Sequence, residues 1–226
     1  LVDKTLFFSR ADKFDDPFAG SSGITARETE WVSFYLEYFR NAARDPPLGI
    51  PAPFEHAAEL HAQQLLASLR ASALQDRRST FVSCWHANSV ESEALWRLYC
   101  PVGSSGVVVK TTAHLLLSSL DPSAPVDMGR VQYVDFRSSF AGLHDRIFCK
   151  RKSLSHEAEV RAVFRSRSDE ERIGIPVSID ITTLIEQVAP SPFEPTWFPA
   201  LLRSVVKRFG LGFPVEESEL LAQPFF

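Results

Sequence analysis

The chain has 226 residues, of which 45% are hydrophobic and 23% charged, the usage of a folded domain and too apolar for a disordered segment. Its formal net charge of -4 provides no bulk attraction to nucleic acid. No apolar run approaches the roughly 20 residues that span a bilayer, and no signal-peptide pattern is present, so a soluble, cytoplasmic protein is expected.

The chain begins at Leu1 and not at Met, so a short upstream segment is expected. Leu6-Phe7-Phe8 reads as a first strand, ended by a polar loop in which Pro17 and the pair Asp15-Asp16 supply turn chemistry. Thr25 to Glu28 has capping-box spacing and predicts a helix start near Thr25. That helix carries Trp31, Phe34, Tyr35, Tyr38 and Phe39 at mixed spacings of three and four, and stops before Pro46-Pro47. A second helix, rich in Ala, Leu and Gln, is predicted from about Pro53 to Gln75. Residues 24–77 therefore read as a helical hairpin inserted after the first strand.

Strands dominate the rest. Thr80 to Trp85 is β-rich, and Ser89 is placed to cap a short helix bearing Trp96 and Tyr99. Gly106–Lys110 reads as a strand, His114–Leu120 as a short helix and Gly129–Phe136 as one further strand. Glu159–Arg165 alternates Val160, Ala162 and Phe164 with charged partners, which predicts a strand with one buried face. Strands follow at Val177–Ile181 and Leu184–Val188, then a helix from about Trp197 to Phe209, stopped by Gly210. Strands with interspersed, not strictly alternating, helices predict one α+β domain over 1–226 with a mixed or antiparallel sheet.

No phosphate loop, dinucleotide fingerprint, nucleophile elbow or zinc-protease motif is present. The histidines do not pair at zinc-ligand spacing, so no metal site is expected. Cys84, Cys100 and Cys149 match neither a disulfide framework nor a zinc motif and read as buried structural thiols.

Four polar clusters adjoin apolar strands. In the first, Arg10 and Asp16 read either as a ligand-gripping loop, with Arg10 suited to phosphate or carboxylate, or as a structural turn. In the second, Ser83, Trp85, Trp96 and Tyr99 read as the polar lip and aromatic floor of a cleft, or as core. In the third, extended backbone puts Glu157, Glu159 and Arg161 on one strand face near Lys150, with alternate residues about 7 Å apart. Two such carboxylates suit general acid-base work, with Arg161 holding one ionised; the alternative is a buried salt bridge. The fourth, Lys110-Thr111-Thr112, ends a strand and is a weaker phosphate-contact candidate.

At these residues the chain resembles DUF2971, a bacterial domain family of unknown function. The resemblance rests on the turn Phe14-Asp15-Asp16-Pro17-Phe18, on Ser83-Cys84-Trp85 leading to Trp96-Arg97-Leu98-Tyr99, and on Gly106-Val107-Val108-Val109. It also rests on Lys150 or Lys152 followed by Glu157-x-Glu159-x-Arg161. Asp15 stands where Asn is usual in the family, and Leu154 where an aromatic is common. The family implies no established activity.

A strand-borne Glu-x-Glu with an Arg near the first strand is similar to ADP-ribosyltransferase sites. On that analogy the expected function is a transferase or glycohydrolase acting on a nucleotide-like, phosphate-bearing substrate, with NAD the favoured one. Glu159 would be the catalytic carboxylate and Glu157 its partner. Arg10 and Arg161 would hold anions, and Trp85 or Tyr99 would stack on the ligand. Asp16, Ser83, Trp96 and Lys150 complete the expected binding set. The competing reading is a recognition module in which the ions stabilise the core and the 24–77 helices bind a protein partner. A nuclease is third.

Overall fold

A computed structural model describes residues 2–45, 54–101, 103–166 and 172–225. The first apolar run forms β1 (Thr5–Arg10), and the loop after it turns at once through a short 3-10 segment, Ala11–Lys13. The expected helix start near Thr25 is a 3-10 turn, Thr25–Arg27, that leads into α1 (Glu28–Arg44). α2 (Glu55–Ser79) runs four residues beyond the expected Gln75, directly into β2 (Thr80–His86); the predicted start at Pro53 lies outside the described residues.

Next come α3 (Glu93–Tyr99), β3 (Val107–Lys110) and α4 (Ala113–Ser119). α3 is capped by Ser92, whose Oγ accepts from the Leu95 amide at 3.4 Å, and not by Ser89. The expected strand Gly129–Phe136 is two, β4 (Val126–Arg130) and β5 (Gln132–Val134). The break falls at Val131, whose amide instead donates to the Glu159 carbonyl. β6 (Cys149–Arg151) precedes a 3-10 segment, Lys152–Glu157, and then β7 (Glu159–Arg165). β8 (Gly174–Ser178), α5 (Ile181–Leu184), β9 (Gln187–Pro190) and α6 (Phe198–Arg208) follow. Gly210 sits past the end of α6 with φ of +65°, the left-handed stop that glycine allows.

The fold is α+β, with an antiparallel five-stranded sheet in the order β4-β7-β2-β1-β8. In β1 and β2 Ser9 stands opposite Val82 and Arg10 opposite Phe81. β5 and β6 form a parallel pair that sets Tyr133 beside Lys150; β3 and β9 form an antiparallel pair.

The chain divides into two compact units, residues 8–85 with 127–175, and residues 1–7, 86–126 and 176–226. The first holds the helical hairpin. Arg40 of α1 pairs with Glu59 of α2, and Arg70 of α2 with Glu28 of α1 at 2.6 Å, so the helices run antiparallel. α2 buries Ala58, Ala62 and Leu66, a row at four-residue spacing. On α1 no residue is fully buried. Trp31, Tyr35 and Phe39 form a half-buried ladder with centroids 4.6 and 6.0 Å apart, while Phe34 and Tyr38 stand edge-on to it, exposed. Under the sheet, Ala11, Val82, Ile147 and Val163 make one apolar cluster with Phe14 and Phe148 packed on it.

In the second unit α4 packs on α5 and α6 on β9, and Trp96, Leu116, Leu120, Leu184, Val188 and Val206 are buried. No helix among the described residues is long and apolar enough to cross a membrane.

Candidate functional site

β7 has a central position beside β2, and alternation puts Glu159, Arg161 and Val163 on one face with Val82 and Cys84 of β2. Val163 and Val82 lie in the apolar cluster, so the ionic residues continue the face that the core occupies. Arg161 is 1% exposed and Glu159 3%. A charge at such a position requires a partner. Arg161 Nε donates to Glu159 Oε1 at 2.8 Å and Nη2 to Oε2 at 3.4 Å, while Nη1 donates to the Ile147 carbonyl. Its guanidinium also lies 5.6 Å from the centre of the Phe14 ring.

Lys150 arrives from β6, placed by the parallel register with β5. Its Nζ contacts Glu157 Oε2 at 2.5 Å and Glu159 Oε2 at 2.9 Å. The Glu159 amide donates to the Tyr133 hydroxyl at 2.8 Å. Two carboxylates and two cations thus close a buried network of zero net charge.

Glu157 reaches this network by a route that strand alternation does not describe. It ends the 3-10 segment, and Ala158 then takes the left-handed conformation, φ 42° and ψ 49°, before β7 begins. The expectation of an extended 157–161 stretch is corrected there: Glu157 is on a turn, and only Glu159 and Arg161 are strand neighbours.

Burial alone would raise the Glu159 carboxyl, but hydrogen bonds and charge from Arg161, with help from Cys84 and Lys150, hold it at about 2. Burial would likewise lower Lys150, yet contact with Glu157 and Glu159 raises it. The Cys84 side chain reaches solvent, although its sulfur is crowded by protein and donates to Glu159. Burial first, and the Glu159 charge second, push this thiol up to about 12. Cys84 is therefore an un-ionised donor, and the expectation of a buried structural thiol holds for Cys100 and Cys149 but not for it.

The other expected residues fall in separate places. Arg10 is buried and gripped by Asp12, with Nε to Oδ1 at 2.7 Å and Nη2 to Oδ2 at 3.2 Å. Asp16 Oδ1 accepts the Phe18 amide at 3.2 Å and pairs with Arg151 at 3.0 Å, so it builds its own turn. Ser83 Oγ accepts from Trp85 Nε1 at 3.1 Å. Trp96 and Tyr99 belong to the second unit. Trp96 is core and donates Nε1 to Glu91 Oε1 at 2.5 Å, a carboxylate that also accepts from Ser218 and the Glu219 amide. Tyr99 is exposed, its ring 5.1 Å from that of His86.

Sequence reading thus found Lys150, Glu157, Glu159 and Arg161 but missed Cys84 and Tyr133. The alternation of β2 signalled the first; the second needed the β5–β6 register. Among the described residues no group of three or more His, Cys, Asp or Glu side chains is placed to hold a metal ion. In comparisons with known proteins, no family model, no curated protein and no solved structure matches the chain.

Proposed function

We propose that this chain is a recognition module that assembles through its helical hairpin, with the Glu157, Glu159, Arg161 and Lys150 network serving as scaffold. The observation that carries this reading is the contrast between a closed ionic core and an open aromatic helix face. Every charge in the network is answered by a buried neighbour, which leaves no uncompensated group for a substrate. Phe34 and Tyr38, by contrast, are 61% and 59% exposed on a helix that buries no residue fully.

The occupant that fits this face is a second copy of the chain. Apart from Glu28 and Arg40, which pair with α2, α1 carries Glu30 in its first turn and Arg44 in its last, so an antiparallel copy brings opposite charges toward each other. A two-fold axis level with Leu36 sets Phe34 against Tyr38 of the second copy, an isologous arrangement of four rings. Light scattering over a concentration series tests this. The expected result is the mass of two chains, returning to one in the Phe34→Glu, Tyr38→Glu double variant. A single-chain mass throughout, at concentrations of hundreds of micromolar, would turn the reading down.

The DUF2971 resemblance is a proposal that fits the same view. Its turn and its Glu-x-Glu-x-Arg block supply the ion pairs of Asp16 with Arg151 and of Glu159 with Arg161 and Lys150.

One observation favours a second reading, an enzyme acting on NAD or another phosphate-bearing nucleotide. Cys84, an exposed residue, contacts the ionised Glu159, a carboxylate of the kind that would stabilise a sugar cation. A melting-temperature rise with NAD, ADP-ribose, ATP or GTP that vanishes in Glu159→Gln supports it; no shift with any of them removes it.

A further inference from the structure

At the root of the hairpin, on residues that the self-association reading does not use, lies a second constellation. Gly20-Ser21-Ser22-Gly23 borders an open recess of about 410 Å³, with α1, α2 and Phe140 as its other walls. That volume suits a small organic ligand.

The loop is shaped for close approach. Gly20 holds φ at +72°, and a Cβ there would lie 3.1 Å from Arg77 Cγ. A Cβ on Gly23 would lie 2.8 Å from Phe140 Cδ1. Both glycines thus let a wall residue of the recess, Arg77 or Phe140, rest directly on the backbone.

The walls combine flat apolar surface with unanswered donors. Trp31 and Phe140 give aromatic faces, and Ile24 and Leu74 give aliphatic ones. Trp31 Nε1 and Arg77 Nε are both buried and have no hydrogen-bond partner. Such a donor costs free energy until an acceptor reaches it. Both side chains belong to the lining of the recess. Two arginines, Arg70 and Arg77, stand against one carboxylate, Glu28, already paired with Arg70 at 2.6 Å. The local balance is therefore positive.

We propose that this recess binds a small planar organic anion, an aromatic or heteroaromatic ring bearing a carboxylate or phosphate. The ring lies against Trp31 and Phe140, and the anionic group accepts from Arg77 and Trp31.

Titration calorimetry on the full chain with indole-3-acetate, benzoate, AMP and inorganic phosphate tests this. Saturable binding of at least one ring-bearing anion is expected, with inorganic phosphate alone binding at least tenfold more weakly. Arg77→Met is expected to weaken binding at least tenfold. Trp31→Phe, which keeps the ring and removes the N–H, is expected to weaken it several-fold, and it decides the matter if Arg77→Met fails to fold. No saturable heat from any probe up to about 5 mM, phosphate binding as tightly as the ring-bearing probes, or affinities that both variants leave unchanged would overturn the proposal. Heat of binding reports the recess and molar mass reports the α1 face, so either can fail alone.

Discussion

Arg161 reaches back along its own strand to hold the carboxylate of Glu159, two residues earlier, with nitrogens at 2.8 and 3.4 Å. Both are almost fully buried, so neither can trade its partner for water. Glu159→Gln leaves Lys150 with Glu157 alone and takes from Arg161 the carboxylate it grips. A loss of about 3–5 kcal/mol in denaturant-induced unfolding is expected. A loss below about 1 kcal/mol would show that the network is not structural.

The same carboxylate should govern acid stability. Its folded value of about 2 lies below the ordinary 4.5, a depressed acid. The stabilisation it provides is complete above the unfolded value and is lost as the pH falls from about 4.5 through about 2. The wild-type melting temperature should drop over that window. Glu159→Gln, lower at neutral pH, should drop less, and parallel profiles would contradict the assignment.

Cys84 makes a third expectation. The residue is exposed, but its sulfur is crowded by protein and stays protonated up to about pH 12. Iodoacetamide at pH 8 should therefore modify it far more slowly than a free cysteine, with a rate that keeps climbing beyond pH 10. Peptide mapping by mass spectrometry reads the rate at each cysteine. A fast reaction at pH 8 would mean that Glu159 does not hold this proton.

Much of this architecture was legible from local pattern. The hairpin followed from aromatic spacing in α1 and the Ala, Leu and Gln content of α2, because helix propensity acts within a few residues. β2 and β7 were legible because alternating apolar residues must face a core. Glu159 and Arg161 were paired correctly by that alternation. Glu157 was not, since nothing about an alanine announces that Ala158 will be left-handed. Local pattern leaves Trp96 as cleft floor or as core; it is core, and its partner Glu91 is held from Ser218 and Glu219, far along the chain. Whether the Glu159 face was open also depended on distant residues, Phe14 and Ile147, that cover Arg161.

The Gly20–Gly23 loop supplies a fourth prediction. Gly23→Ala brings a methyl to 2.8 Å from the Phe140 ring, so either the ring or the loop must move. A cost of about 1–3 kcal/mol is expected, as for overpacking generally. Gly20→Ala meets a flexible arginine stem but must also hold φ at +72°, and about 1 kcal/mol is expected. Chemical denaturation of both variants checks the values; neutral results would show that the loop yields freely.

Lys150 and Glu157 bracket the 3-10 segment that joins β6 to β7. Their contact acts as an ionic cross-link across a short span of chain, closing it much as a clasp closes a strap. A span of six residues in 3-10 form is too short and stiff to follow the slow logarithmic cost of a flexible loop. Gaining or losing a residue inside the clasp would pull Lys150 and Glu157 out of reach and disturb Glu159 and Arg161, two of the most deeply buried charges among the described residues.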